Sequence, residues 1–225
     1  TLLLLGALTV AVVALAWRMP YPDAATAPLS VGVLWQGLRG ALDALKNREV
    51  LKWLVLLEFA DFQLDILLGF LALYYVDIGG ATPLQAGLAV AVWTGAGLLG
   101  DLLLIPLLER VPGLHYLRGS VFIVLFAYPA FLLLPGLWAK TSVLAVLGVL
   151  NSGWYAIPQA RLYSSLPGES GTVVAVKNVS GMVAALIPLG LGLVAQRWSL
   201  DVAMWLRLAG PIVLLIGIPR SVEQP

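Results

Sequence analysis

Three stretches of this chain carry no charged side chain: Ile78–Gly100 (23 residues), Gly119–Ala139 (21) and Thr141–Ala160 (20). A helix rises about 1.5 Å per residue, so each can cross the roughly 30 Å of hydrocarbon in a bilayer. Inside that layer every backbone N–H and C=O must be satisfied by the protein itself, which permits only helices and closed barrels. A membrane strand needs only about ten residues, so apolar runs of twice that length select helices.

Four more segments qualify less cleanly, the first because it is cut short at its start and the others because they contain charges. Thr1–Trp17 begins inside an apolar run, Lys52–Val76 contains three acids, Gly171–Gln196 contains Lys177, and Val202–Pro219 contains Arg207. The expected fold is an all-α, polytopic membrane bundle of seven spans. Composition agrees, with 60% hydrophobic and 11% charged residues, where a soluble domain carries about 25% charged. Residues 1–17 read as a span cut short at its start, as in a piece of a longer chain. A signal peptide cleaved near Ala14-Leu15-Ala16 would call for a positive residue ahead of the apolar run, and none is there.

Positive charge orients such a bundle, because loops rich in Lys and Arg stay in the cytoplasm. Arg18, Arg39, Lys46, Arg48, Lys52, Arg110, Arg118, Arg161 and Arg220 fall on one side, and Lys140 and Arg197 on the other. The first side is expected to be cytoplasmic, with residues 220–225 as a cytoplasmic tail and the protein in the plasma or inner membrane. Trp17, Trp53, Trp138 and Trp198 stand at span ends, where indoles favour the headgroup level. Trp93 and Trp154 stand mid-span and are expected to face protein or cavity. Arg207 is expected to snorkel to the outer surface.

Residues 18–51 form a linker. "MPYPDAATAPLS" reads as loop, while residues 30–49 place Leu34, Leu38, Leu42 and Leu45 at helical spacing opposite Arg39, Asp43 and Lys46. That pattern predicts an amphipathic helix, either on the membrane surface or packed beneath the bundle. Residues 52–219 are the expected six-helix bundle.

The stretch "VWTGAGLLGDLLLIPLLERVPG" holds a G-x-G-x-x-G string at Gly95, Gly97 and Gly100. A dinucleotide turn needs a preceding strand and an acid about 20 residues beyond the glycines. After Asp101 the next acids are Glu109 and Glu169, one too near and one too far. In a membrane helix small residues let backbones approach, so packing is the expected use, with Gly87, Ala91 and Gly95 forming one small face.

Gly97-Leu98-Leu99-Gly100-Asp101 resembles the G-x-L-x-D opening of a loop motif in major facilitator superfamily transporters. The order of features is similar too: one span, a long basic loop with an amphipathic helix, then six spans with short loops. Pro167-Gly168-Glu169-Ser170-Gly171 resembles the approach to that family's eleventh helix. The resemblance implies a truncated helix followed by the six-helix C-terminal half, with the N-terminal half of the same protein missing. It also implies a cytoplasmic gate at Asp101, with Gly97, Arg110 and Lys177 around it. The family motif continues with basic residues directly after the aspartate, whereas here Leu102–Leu108 is apolar.

Glu58, Asp61 and Asp65 fall at i, i+3 and i+7, a stripe on one helical face. Acids at membrane depth are costly and mark functional sites, because loss of water favours the uncharged carboxyl and allows proton exchange. Proton coupling, attraction of a cationic substrate and pairing with a base are the three uses open to them. Asn151, Trp154, Tyr155 and Pro158 form a second face at i, i+3, i+4 and i+7. Together with Trp93 it suits an amphiphilic or aromatic substrate, and Pro158 is expected to break its helix there. Lys177 is placed either to snorkel or to neutralise Asp101 or Glu58.

The net charge of +1 leaves no basic face for nucleic acid. With no cysteine and a single histidine, His115, neither thiol chemistry nor a metal site is expected, and no cofactor. The expected activity is secondary transport of a small solute by alternating access, proton-coupled, with export of cationic or amphiphilic compounds as the leading case and lipid as the surrounding partner. The alternatives are an intramembrane enzyme using paired aspartates among Asp61, Asp65 and Asp101, and a non-transporting scaffold subunit.

Overall fold

A computed structural model describes residues 31–219, together with 10 and 13–15. The tail at 220–225 and most of the expected span at 1–17 and of the linker loop lie outside the described residues. The chain divides into two units, Thr1–Gln36 and Gly37–Pro225; the core described below belongs to the second.

Ten helices follow one another from residue 31: α1 (Val31–Ala44), α2 (Arg48–Asp77), α3 (Pro83–Leu108), α4 (Gly113–Leu133), α5 (Leu137–Leu150), α6 (Ala156–Ser164), α7 (Ser170–Ala184), α8 (Leu186–Arg197), α9 (Leu200–Leu206) and α10 (Ala209–Gly217). No strand occurs among the described residues. Four helical stretches are long and apolar enough to cross a membrane: α3, α4, the α7–α8 pair and the α9–α10 pair. The described residues are therefore all-helical outside their turns, consistent with a helical membrane bundle. The other expected spans, 1–17, α2 and the α5–α6 segment, are not among those four.

Local chemistry sets the helix starts. Asn47 accepts the amide N–H of Glu49 at 2.9 Å and caps α2, so the linker helix stops at Ala44 and the next begins at Arg48. Gly80, at φ +64°, makes the turn after α2. Thr82 and Gln85 then form a reciprocal capping box with Pro83 in the first turn. The third span consequently starts at Pro83, not Ile78, and runs through Asp101 to Leu108. On α1, Ala41 is buried and Leu42 exposed. Lys46 donates to Asp43 at 2.7 Å.

Three interruptions lie just upstream of prolines. The α5–α6 break precedes Pro158, Ala185 between α7 and α8 precedes Pro188, and Arg207–Leu208 between α9 and α10 precedes Pro211. Proline brings no N–H for the carbonyl four residues back, and its ring crowds that carbonyl. Pro106 and Pro129 sit inside unbroken helices, so proline weakens the ladder and local context decides. At α5–α6 the context is Gly153, with φ +71°. The break therefore falls at Asn151–Tyr155, one turn before the proline expected to cause it.

At α9–α10 the Arg207 carbonyl accepts the Gly210 N–H at 3.1 Å and a second donor from α2. Gln63 donates its amide N–H to the Arg207 carbonyl at 2.6 Å, and Arg207 Nε donates to the Gln63 carbonyl at 3.0 Å. The guanidinium lies 4.5 Å from the Tyr128 ring centre. Arg207 is 1% exposed, which corrects the expectation that it snorkels: the break turns it inward to a carbonyl and an aromatic face. Gly210 leaves the room this contact needs, since a Cβ there would run into the Gln63 side chain.

Helix crossings use glycine differently from the small stripe read in the sequence. Gly87, Ala91 and Gly95 are exposed, and the two glycines meet nothing. The close approach is instead between α3 and α5, where a Cβ on Gly148 would lie 2.6 Å from the Trp93 carbonyl and one on Gly100 would lie 2.9 Å from Val149 Cα. Trp53 also departs from its expected interfacial position, being buried in the core, whereas Trp138 and Trp198 are exposed. Lys140 donates to Leu132 O at 2.8 Å and to Tyr74 Oη at 2.9 Å, tying the start of α5 to the carbonyl end of α4.

Two tests follow from these contacts. Gly210→Ala should lower stability by about 1–3 kcal/mol through overpacking, and Gln63→Ala in the same chain should recover part of it; thermal unfolding in detergent that shows equal losses with no recovery would refute the contact. The Lys46 hydrogen bond and charge hold the Asp43 carboxyl below its ordinary 3.8. A depressed folded-state value means that the pair's support for α1 is present above the unfolded value and is lost as pH falls through the lowered one. NMR titration should show Asp43 moving back toward 3.8 at high salt, which screens exposed pairs.

Candidate functional site

Two concavities flank α2, and they divide the sequence-predicted residues between them. The first is a groove of about 240 Å³ between α2 and the α7–α8 break, where Glu58, Asp61, Asp65, Lys177 and Pro188 face one another. Helical spacing delivers the three acids to a single face. Glu58 and Asp61 are half-buried and Asp65 is exposed. The Glu58 carboxylate accepts the Ser180 hydroxyl, a partner on α7 that charge-counting along the sequence passes over.

Lys177 stands in this groove without joining an acid. Its ammonium donates to Tyr155 Oη at 2.5 Å and lies 4.8 Å from that ring's centre. Among the described residues the one ion pair is Lys46 with Asp43. In this structure Lys177 therefore pairs with neither Glu58 nor Asp101, and Arg110, exposed beyond the end of α3, forms no ion pair with Asp101. The phenol wins because the α5–α6 break carries Tyr155 to the lysine.

The second concavity, of about 700 Å³, lies between α2, α3 and the α5–α6 break. Its polar wall is Trp93, Thr94, Asp101, Asn151, Ser152 and Tyr155. The break is stitched to α3 by Ser152 Oγ donating to Gly97 O at 3.1 Å and by Gly153 N–H donating to an Asp101 carboxylate oxygen at 3.3 Å. A Cβ at Gly153 would run into Leu104, so glycine is required by space as well as by its positive φ. Gly97 and Asp101, read as gate residues, therefore hold the chain turn that presents Asn151.

Trp154 does not line either concavity. It is fully buried, and its indole N–H donates to Ser120 Oγ at 3.0 Å, making it a packing anchor beneath the break. Asp101 lines one concavity and Asp61 and Asp65 the other. Sequence reasoning missed Gln63, Ser120, Ser152 and Ser180; their one signal was polarity inside apolar helices, which counting formal charges does not register.

Comparisons with protein-family models, with curated proteins and with solved structures return no match. What the structure defines is a helical membrane protein with an acidic groove and an amide-lined cavity joined through one lysine–tyrosine contact.

Tyr155→Phe removes only the acceptor and leaves the ring. It should cost about 1–2 kcal/mol, the range for a hydrogen bond to a charged group with some loss to solvent, and should raise the reactivity of Lys177 toward an amine-directed reagent. Unchanged melting together with unchanged labelling would show that the contact carries nothing.

Proposed function

We propose that this chain is the C-terminal half of a secondary active transporter of the major facilitator type, moving a small solute by alternating access with proton coupling. In this reading residues 1–17, α2 and the α5–α6 segment complete seven spans. The basic linker and the C-terminus lie in the cytoplasm, and the missing N-terminal half closes the transport pathway. Export of cationic or amphiphilic compounds across a plasma or inner membrane fits the combination of acids and aromatics.

The observation that carries the reading is the groove holding Glu58, Asp61 and Asp65. Carboxylates on a helix of membrane length require a wet or protein-lined face, and intramembrane acids of this kind serve proton relays and cation pathways. Three acids share the groove with one lysine that is engaged elsewhere, so at least one carboxylate is free to exchange a proton. Helix breaks at the groove and at the cavity are the irregularities that membrane transporters place where backbone lines a pathway. For the paired-aspartate enzyme Asp101 belongs to the other concavity, which leaves Asp61 and Asp65 as the pair that reading would have to use.

The test is extrusion of ethidium, a cationic amphiphile, from vesicles bearing the full-length protein, with and without an imposed pH gradient. Asp65→Asn and Asp61→Asn should reduce gradient-driven transport to the gradient-free rate. Gradient-driven transport that survives both substitutions would remove the acids from coupling, and release of peptide or lipid fragments would point to an enzyme.

A further inference from the structure

The larger cavity contains hydrogen-bonding atoms that the protein leaves unused. Asn151 is 5% exposed and Trp93 is 8% exposed, yet Asn151 Nδ2, Asn151 Oδ1 and Trp93 Nε1 have no partner among the described residues. Both side chains line the cavity. A buried polar atom without a partner is costly, and native structures retain few of them. Here three such atoms belong to two side chains that line the same cavity. Of the neighbouring hydroxyls, Thr94 donates to Val90 O and Ser152 to Gly97 O, while Tyr155 accepts from Lys177.

These atoms specify a complement. Trp93 offers a donor only, and the Asn151 amide offers a donor and an acceptor. The ligand head that answers all three presents a carbonyl oxygen beside an N–H. No charged side chain lies in the buried part of the wall, since Asp101 is exposed and already accepts Gly153 N–H. A charged head would be stripped of water there without a counter-charge. The rest of the lining is aliphatic, including Leu64, Leu68, Leu98 and Ile105, which suits an apolar body. We propose that this cavity binds an uncharged amphiphile with a primary or secondary amide head, the amide pairing with Asn151 and accepting from Trp93. As a substrate site it deepens the transporter reading and rests on it; as a binding site it stands alone.

The chain has 8 tryptophans, so ¹⁵N-indole labelling of the full chain in lipid nanodiscs gives a countable spectrum, with Trp93→Phe assigning one signal. Titration with decanamide should shift the Trp93 indole signal saturably and downfield, whereas decylammonium and undecane should not. Asn151→Leu removes a side-chain amide that bonds to nothing among the described residues, so the fold should persist. Its decanamide dissociation constant should rise about tenfold or more, the equivalent of one lost buried hydrogen bond. Leu98→Trp, at a lining position 63% exposed, fills the cavity from its open side and should abolish the shift. A Trp93 signal unmoved by decanamide, moved equally by undecane, or already saturated by lipid alone would overturn the proposal. Binding without gradient-driven transport would keep the site and discard the transporter; transport lost in Asp65→Asn with no decanamide binding would do the reverse.

Discussion

The demand that hydrocarbon places on the backbone governs this structure. Water cannot satisfy a peptide group at membrane depth, so a helix can open only where the protein supplies a substitute. Gln63 supplies one for Arg207. At the α5–α6 break, Ser152, Gly153 and Asp101 tie the non-helical turn to α3. Two of the three irregularities are therefore bound to a neighbouring helix, and each binding contact fixes a side chain that faces a concavity or the core. The functional surfaces are by-products of how the breaks are repaired.

The two concavities differ in kind. Charge gathers in the groove between α2 and α7–α8, where the walls keep Asp65 exposed and Glu58 half-buried. The cavity beside α3 and α5 offers neutral donors and acceptors set in aliphatic walls. An ion-handling compartment needs solvent access, and a compartment that selects by hydrogen bonding needs the opposite, because discrimination grows as competing water is removed. Separating them across α2 lets both conditions hold within a single bundle.

Much of this was legible in the sequence because it follows from periodicity. The acid stripe, the midspan position of Trp93 and the inclusion of Asp101 inside its helix all derive from helical geometry applied to residue type. Helix starts were misplaced at Ile78 because a charge-free interval ignores the capping chemistry of Thr82 and Gln85. Arg207 was placed at the surface because its partners, Gln63 and Tyr128, come from α2 and α4, distant in the chain. The small-residue face was misassigned for the same reason. Period four identifies a stripe, but only the partner helix decides which stripe is covered, and Gly148 chose the Gly97 and Gly100 side. Trp154 was read as pathway because Ser120, its hydrogen-bond partner, lies on α4.

The contact between Lys177 and Tyr155 joins compartments that otherwise share no side chain. A lysine resting on a phenol is held less firmly than one locked to a carboxylate, so its cationic head is available for reassignment. An occupant that displaced Tyr155 would free that cation beside the acids of the groove, where a positive charge eases ionisation. Thermodynamic reciprocity then requires that proton uptake there alter the affinity of Tyr155's compartment by the same factor. One exchangeable bond is enough to make the two equilibria inseparable.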